Sequence, residues 1–272
     1  MKGVFLWLAL LAIPLKVGAQ GIHYGTNRVE PGKVIEFLAP LNSRGRMAAS
    51  ALRLPNTSAR GAFVVPAGLT NLSKPCPLLI VRVPSGGSAI RWLPSITNAA
   101  LSGGWMVLAA DGPKVNAKDD TIQFGWAMLS SVLEQFHRTW PQSKQWPVAC
   151  GGFSGGAKSS ALVAAALVKE DYRVIGIFMG GCNEDFATLG LQLYQPGDRF
   201  KRIPIFLSNG TSDPIASPTH AATVAGSLRR SGFQTLRLEN YEGGHRQNND
   251  HLALALRWFE QRAALPAGSA LK

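Results

Sequence analysis

The sequence predicts an α/β protein built on one doubly wound, mostly parallel sheet with helices on both faces. From Pro77 onward, short apolar runs alternate with longer amphipathic stretches, the pattern of repeated strand–helix units. The strand candidates are continuously apolar rather than alternating, as in Pro77-Leu78-Leu79-Ile80-Val81-Arg82-Val83, which suits parallel strands covered on both faces. A knot of glycines with one serine at its centre follows an apolar run and precedes an alanine-rich one, marking a tight strand-to-helix turn.

The chain begins with a targeting pattern over residues 1–19. Lys2 gives a positive start, residues 4–13 are apolar, and Val17-Gly18-Ala19 supplies small residues at the cleavage positions of a signal peptide. The apolar run is short for a bilayer span, no second one follows, and no cysteine stands at the cleavage point for a lipid. The expectation is a secreted or periplasmic protein without a stable membrane anchor, its mature chain starting at Gln20. Residues 20–272 then form a single domain of roughly 250 residues, enough to bury a sizeable core.

The formal net charge is +12, but the basic residues are scattered along the chain and form no stripe interleaved with aromatics. That disfavours nucleic acid as a partner. Anionic envelope surfaces or acidic polymers suit the charge better, as does a generally solvated surface. No cofactor and no metal site is expected. Of the three cysteines, Cys76, Cys150 and Cys182, at least one stays unpaired. A Cys150–Cys182 bridge would need Cα geometry that spacing does not fix.

In order, strands are expected over residues 34–38, 61–65, 77–83, 105–110, from Val148 into the glycine knot, and over 174–179, 203–208 and 236–241. Helices are expected over 89–101, 121–140, 160–168 and 252–264. The 121–140 helix is the clearest, with Phe124, Met128, Val132 and Phe136 repeating every four residues. In the closing helix Leu252, Ala255, Leu256, Phe259 and Ala263 share a face. Trp92, Trp105, Trp126, Trp140 and Trp146 read as packing residues rather than a binding platform. Residues 183–202, where a lid would be inserted, hold little more than one short helix over 185–193.

Gly152-Phe153-Ser154-Gly155-Gly156 fits G-x-S-x-G. A serine that attacks a carbonyl must stand clear of the sheet on a sharp turn, and its neighbours must lack side chains where strand and helix approach closely. The following helix aims its first amides at the place where negative charge would develop. Two other readings apply. In a chain with 29 glycines the pentapeptide can arise by chance. The same stretch also comes close to a phosphate loop, since Gly152 is followed after four residues by Ala157-Lys158-Ser159. However, Ala157 replaces a glycine that such a loop needs, and the next strand ends in Gly180-Gly181 with no acid for a metal.

In doubly wound sheets the active crevice lies beyond the carboxyl ends of the strands. That rule collects Ser85-Gly86, Asp111, Ser154, Asp213 in Asn209-Gly210-Thr211-Ser212-Asp213-Pro214, and His245 in Glu242-Gly243-Gly244-His245. Asp111 reads as a cap or turn residue. His251 competes with His245, and Asp185 with Asp213. The Gly-Gly-His loop and the Gly-x-x-Asp-Pro turn favour His245 and Asp213.

Over roughly residues 62–262 the chain resembles the α/β-hydrolase family, in particular its smaller secreted esterase and depolymerase-like branches. The glycine-bearing loop after the Pro77 strand, the elbow, the Asp213 turn and the His245 loop stand in the family's order, Ser then Asp then His. The resemblance implies a serine hydrolase with little or no lid, cleaving short-chain or polymer-borne carboxylic esters. Ser154 would be the nucleophile, His245 the base and Asp213 the orienting acid. The Gly155 amide and one from Ser85 or Gly86 would form the oxyanion hole. Family members often carry His-Gly-Gly where this chain has Pro84-Ser85-Gly86-Gly87, which leaves the second donor open. A peptidase of the same fold and a non-catalytic binding protein on this scaffold are the alternatives.

Overall fold

A computed structural model describes residues 21–69, 71–72, 74–84, 86–112 and 121–264. Residues 1–19, read above as a signal peptide, lie outside the described residues, as does Ser85.

The chain opens with a small antiparallel hairpin, β1 (His23–Tyr24) and β2 (Asn27–Arg28), turned at Gly25 with φ +60°. It continues through β3 (Ile35–Pro40), α1 (Ser43–Ala51), β4 (Ser58–Val64), β5 (Leu78–Arg82), α2 (Ala89–Trp92), α3 (Pro94–Leu101), β6 (Met106–Ala110) and α4 (Thr121–Thr139). The second half runs β7 (Val148–Phe153), α5 (Gly155–Lys169), β8 (Val174–Gly180), α6 (Phe186–Tyr194), α7 (Asp198–Lys201), β9 (Ile205–Gly210), α8 (Pro218–Arg230), β10 (Leu236–Tyr241) and α9 (Asn249–Ala264). Eight strands form one sheet in the order β10-β9-β8-β7-β5-β6-β4-β3. From β10 to β6 every pair is parallel, while β4 and β3 add antiparallel at the far edge.

The continuous apolar strands have the expected cause. Along β5, Leu78 and Ile80 point into one core while Leu79 and Val81 point into the other. The same division holds on β6, where Met106 and Leu108 face one way and Val107 and Ala109 the other. The first core is covered by α4, α5 and α8, and the second by α3 and α9. The doubly wound α/β architecture is therefore observed.

Some elements differ from expectation for local reasons. The 89–101 helix is two helices, because Pro94 has no N–H to continue the first and instead opens α3. The helix after the glycine knot starts at Gly155, five residues earlier than its apolar run suggests. Nothing apolar announces α1. It is held by its cap, where Asn42 Oδ1 accepts from the Gly45 amide at 2.8 Å, and by the link from Asn42 Nδ2 to Ser130 Oγ at 3.1 Å on α4. The hairpin is pinned by Tyr24, which packs among Phe37, Phe63, Phe136 and Trp140, and by Trp140 Nε1 donating to the His23 carbonyl at 2.9 Å. Cys76, Cys150 and Cys182 are all free and buried. Burial pushes the Cys76 and Cys182 thiols up to about 11 and Cys150 higher still, so none is a ready nucleophile.

Candidate active site

Ser154 stands between β7 and α5 with φ +56° and ψ −122°, a conformation that costs a non-glycine residue about 1–3 kcal/mol. Two glycines make that turn sterically possible. A Cβ on Gly152 would lie 2.5 Å from the Gly156 carbonyl, and one on Gly156 would lie 2.2 Å from the Arg82 carbonyl on β5. Gly155 faces open space. The turn is fixed by the Ser154 amide donating to the Gly180 carbonyl at 2.8 Å and by α5 winding back onto the Ser154 carbonyl.

Asp213 follows β9. Its carboxylate is fully buried, with Oδ1 accepting from the Ile215 and Ala216 amides at 2.8 Å each. The other oxygen, Oδ2, lies 2.8 Å from His245 Nδ1. Burial by itself raises this group's pKa, but the Ala216 amide, His245 and the Ile215 amide together outweigh it, and the carboxyl sits below its ordinary value. An ionised carboxylate only accepts, so Nδ1 carries the imidazole proton and Nε2 is left as the acceptor. That Nε2 lies 3.0 Å from Ser154 Oγ.

The loop carrying His245 is stitched to the Asp213 turn. Ser212 N donates to the Gly243 carbonyl at 2.9 Å, and a Cβ on Gly210 would lie 2.3 Å from that same carbonyl oxygen, so strand β9 must end in glycine. Tyr241 Oη bridges the Gly244 and Arg246 carbonyls on either side of His245. The Phe153 ring packs against the imidazole with centroids 4.6 Å apart. Neither role is visible in the sequence, because Tyr241 meets backbone and Phe153 meets a residue far away in the chain.

Of the expected residues, the fold thus brings Ser154, Asp213 and His245 into one hydrogen-bonded row. His251 is not in it: its Nδ1 lies 2.9 Å from Ser208 Oγ and its amide donates to Asn248 Oδ1. Asp185 caps α6, accepting from Thr188 N at 3.0 Å. Asp111 accepts from Ala89 N at 2.7 Å at the start of α2. Lys158, which a phosphate loop would need, pairs instead with Glu184 at 3.0 Å.

The oxyanion donors divide. The Gly155 amide sits in the first turn of α5, where no intrahelical acceptor exists. The Gly86 amide already donates to the Gly112 carbonyl at 3.2 Å, and Gly87 donates to Pro84 O at 2.9 Å. Ser85, the other residue expected there, lies outside the described residues. No group of three or more His, Cys, Asp or Glu side chains suited to a metal occurs among the described residues.

No family model matches the sequence, and no curated protein sequence matches it. Solved structures do resemble the fold. A cold-adapted esterase from an Arctic intertidal metagenomic library superposes with a TM-score of 0.58 at 15% identity, over 89% of this chain and 99% of that one. An α/β serine hydrolase without a lid from Xanthomonas campestris gives 0.56 at 19% identity, over 89% and 100%. An acylaminoacyl peptidase from Pyrococcus horikoshii gives 0.55 at 10% identity, and there the match spans 88% of this chain but only 43% of the peptidase. The architecture is the α/β-hydrolase fold.

Proposed function

We propose that this protein is an exported serine hydrolase that cleaves carboxylic esters of short acyl groups, free or borne on a polymer. The reading rests on one observation, the row Ser154 Oγ–His245 Nε2–His245 Nδ1–Asp213 Oδ2 with its carboxylate held by two amides. In this reading Ser154 Oγ attacks the ester carbonyl carbon as its proton passes to Nε2. The oxyanion is met by the Gly155 amide and a second donor from the Pro84–Gly87 loop, each worth about 3 kcal/mol in the transition state. Collapse breaks the bond to the alkoxy oxygen, which leaves as alcohol with the Nε2 proton. Water then attacks the acyl-enzyme, giving its proton to Nε2, and the returning proton restores the Ser154 hydroxyl as the acid departs. Asp213 stays ionised throughout and stabilises the imidazolium.

Similarity to an esterase, a lidless hydrolase and a peptidase supports hydrolysis on this fold without choosing the bond. The segment between β8 and β9 is short and its α6 packs onto α5 with Gly190 against Ala165, which supports a crevice with little cover, suited to a bulky or polymer-borne substrate. The signal-like residues 1–19 support export, and the net charge of +12 supports enrichment on anionic material.

The test is a fluorophosphonate probe on the purified protein and on Ser154→Ala. Labelling is expected only in the unsubstituted protein, and labelling of both would put the nucleophile elsewhere. Among p-nitrophenyl esters, activity should fall from acetate to palmitate; a maximum at palmitate would contradict the short-acyl assignment. Faster cleavage of peptide p-nitroanilides than of esters would make it a peptidase. N-terminal sequencing of the exported form should begin at Gln20.

A further inference from the structure

Charge is not scattered in three dimensions as it is along the chain. The connections that lead into the amino-terminal ends of β7, β8, β9 and β10 carry Lys144, Lys169, Arg173, Arg202, Arg229 and Arg230. All are exposed, and none is ion-paired with another described residue. Other charges in the same connections are spent internally. Arg199 faces Asp171 at 3.4 Å, Lys201 faces Asp198 at 3.3 Å, and Glu170 is taken by Arg44 at 2.7 Å.

These four strands are neighbours in the sheet, so at about 4.8 Å per strand their starts span about 15 Å. Backbone bonds join the connections in pairs, Val148 N donating to the Arg173 carbonyl at 2.9 Å and Gln234 N to the Lys201 carbonyl at 3.2 Å, and Arg199 Nη2 donating to the Val168 carbonyl links the two pairs. The opposite ends of the same strands carry a small excess of acid: Glu184, Asp213, Glu242 and Asp250 lie there, together with Lys158, which pairs with Glu184, and Arg246. The molecule is therefore electrically polarised along its strands, with the Ser154–His245–Asp213 row at the acidic end.

We propose that the basic end of the sheet is a docking face for an anionic lipid bilayer, which would leave the crevice pointing away from the membrane. This rests on the placement of charge and not on the hydrolase reading. A bilayer fits better than a nucleic acid for two reasons. The cations are spread over four adjacent connections rather than along a groove that tracks a linear backbone. The rings at this end, Trp146, Tyr172, Phe200 and Phe233, are all buried, so no base has an exposed ring to stack on. A broad cationic face needs only surface potential, which acts within a Debye length and is lost at high salt.

Cosedimentation of the full chain with vesicles tests this, comparing equal parts phosphatidylglycerol and phosphatidylcholine with pure phosphatidylcholine. Binding to the anionic vesicles alone is expected, reversed by high salt. The variant K169Q/R173Q/R229Q/R230Q should bind about tenfold more weakly or worse. A control with the same net charge, R28Q/R53Q/R91Q/R257Q, should stay within about twofold, because its sites lie outside the four connections. Both variants should keep their fluorophosphonate labelling, whether or not the substrate is an ester. Equal weakening by both variants, or no binding by the unsubstituted protein, would overturn the proposal. So would pelleting without vesicles, which would indicate head-to-tail self-association, or retention on single-stranded DNA at salt that releases the vesicles.

Discussion

Three side chains define the candidate site, and each is held by a different device. Ser154 is held in a strained backbone conformation by its amide's bond to the Gly180 carbonyl, Asp213 by two amides and His245 by Tyr241 Oη on the carbonyls either side of it. Asp213→Asn keeps the shape but cannot hold Nδ1 as the proton-bearing nitrogen, so kcat should fall by about 10⁴-fold with KM little changed. Tyr241→Phe removes the hydroxyl that ties the Gly244 and Arg246 carbonyls. Its expected signature is a lower kcat at unchanged KM, with a broadened low-field proton resonance for the His245–Asp213 bond; an unchanged resonance and rate would make Tyr241 a packing residue only. Ser154, Asp213 and His245 were legible in the sequence because glycines flag each one, and those glycines answer to real collisions at Gly152, Gly156 and Gly210. Tyr241 and Phe153 were not legible, since the first acts on backbone and the second on a ring 92 positions along by number. Nor was the engagement of the Gly86 amide, which depends on where Gly112 falls.

At the scale of elements, the unit that matters is β7–Ser154–α5. Its geometry gives a matched pair of tests. Gly156→Ala drives a methyl into the Arg82 carbonyl and must displace β5 or α5, at a cost of about 1–3 kcal/mol and of most activity. Gly155→Ala enters open space and keeps its amide, so stability measured by chemical denaturation should stay close to that of the parent. The parallel strands were readable because burial on both faces leaves unbroken apolar runs. The β1–β2 hairpin and α1 were not, because both are polar and are held by Trp140 and Asn42 rather than by a periodic apolar face.

At the scale of the whole molecule, stability carries a pH signature from outside the candidate site. His137 is pushed down from 6.5 to about 4, first by burial and then by the Lys144 charge. Its Nδ1 lies 2.7 Å from Ser143 Oγ, and its Nε2 is buried without a partner among the described residues. Between about pH 6.5 and 4 the unfolded chain binds this proton and the folded one does not, so stability falls as pH drops through that window, by up to about 3 kcal/mol. His137→Asn should flatten that limb in denaturant melts taken across pH; an unchanged slope would assign it to other groups. The order of the strands has one more consequence. β10 is an edge strand, half-buried along most of its length and paired only to β9, yet its exit carries His245, 91 residues from the serine it faces. Segments with few buried contacts open locally well below the free energy of global unfolding. Reactivity of Ser154 toward the probe should therefore vanish at lower denaturant than the transition of buried Trp105 and Trp146, and β10 amides should exchange with solvent hydrogen before those of β7.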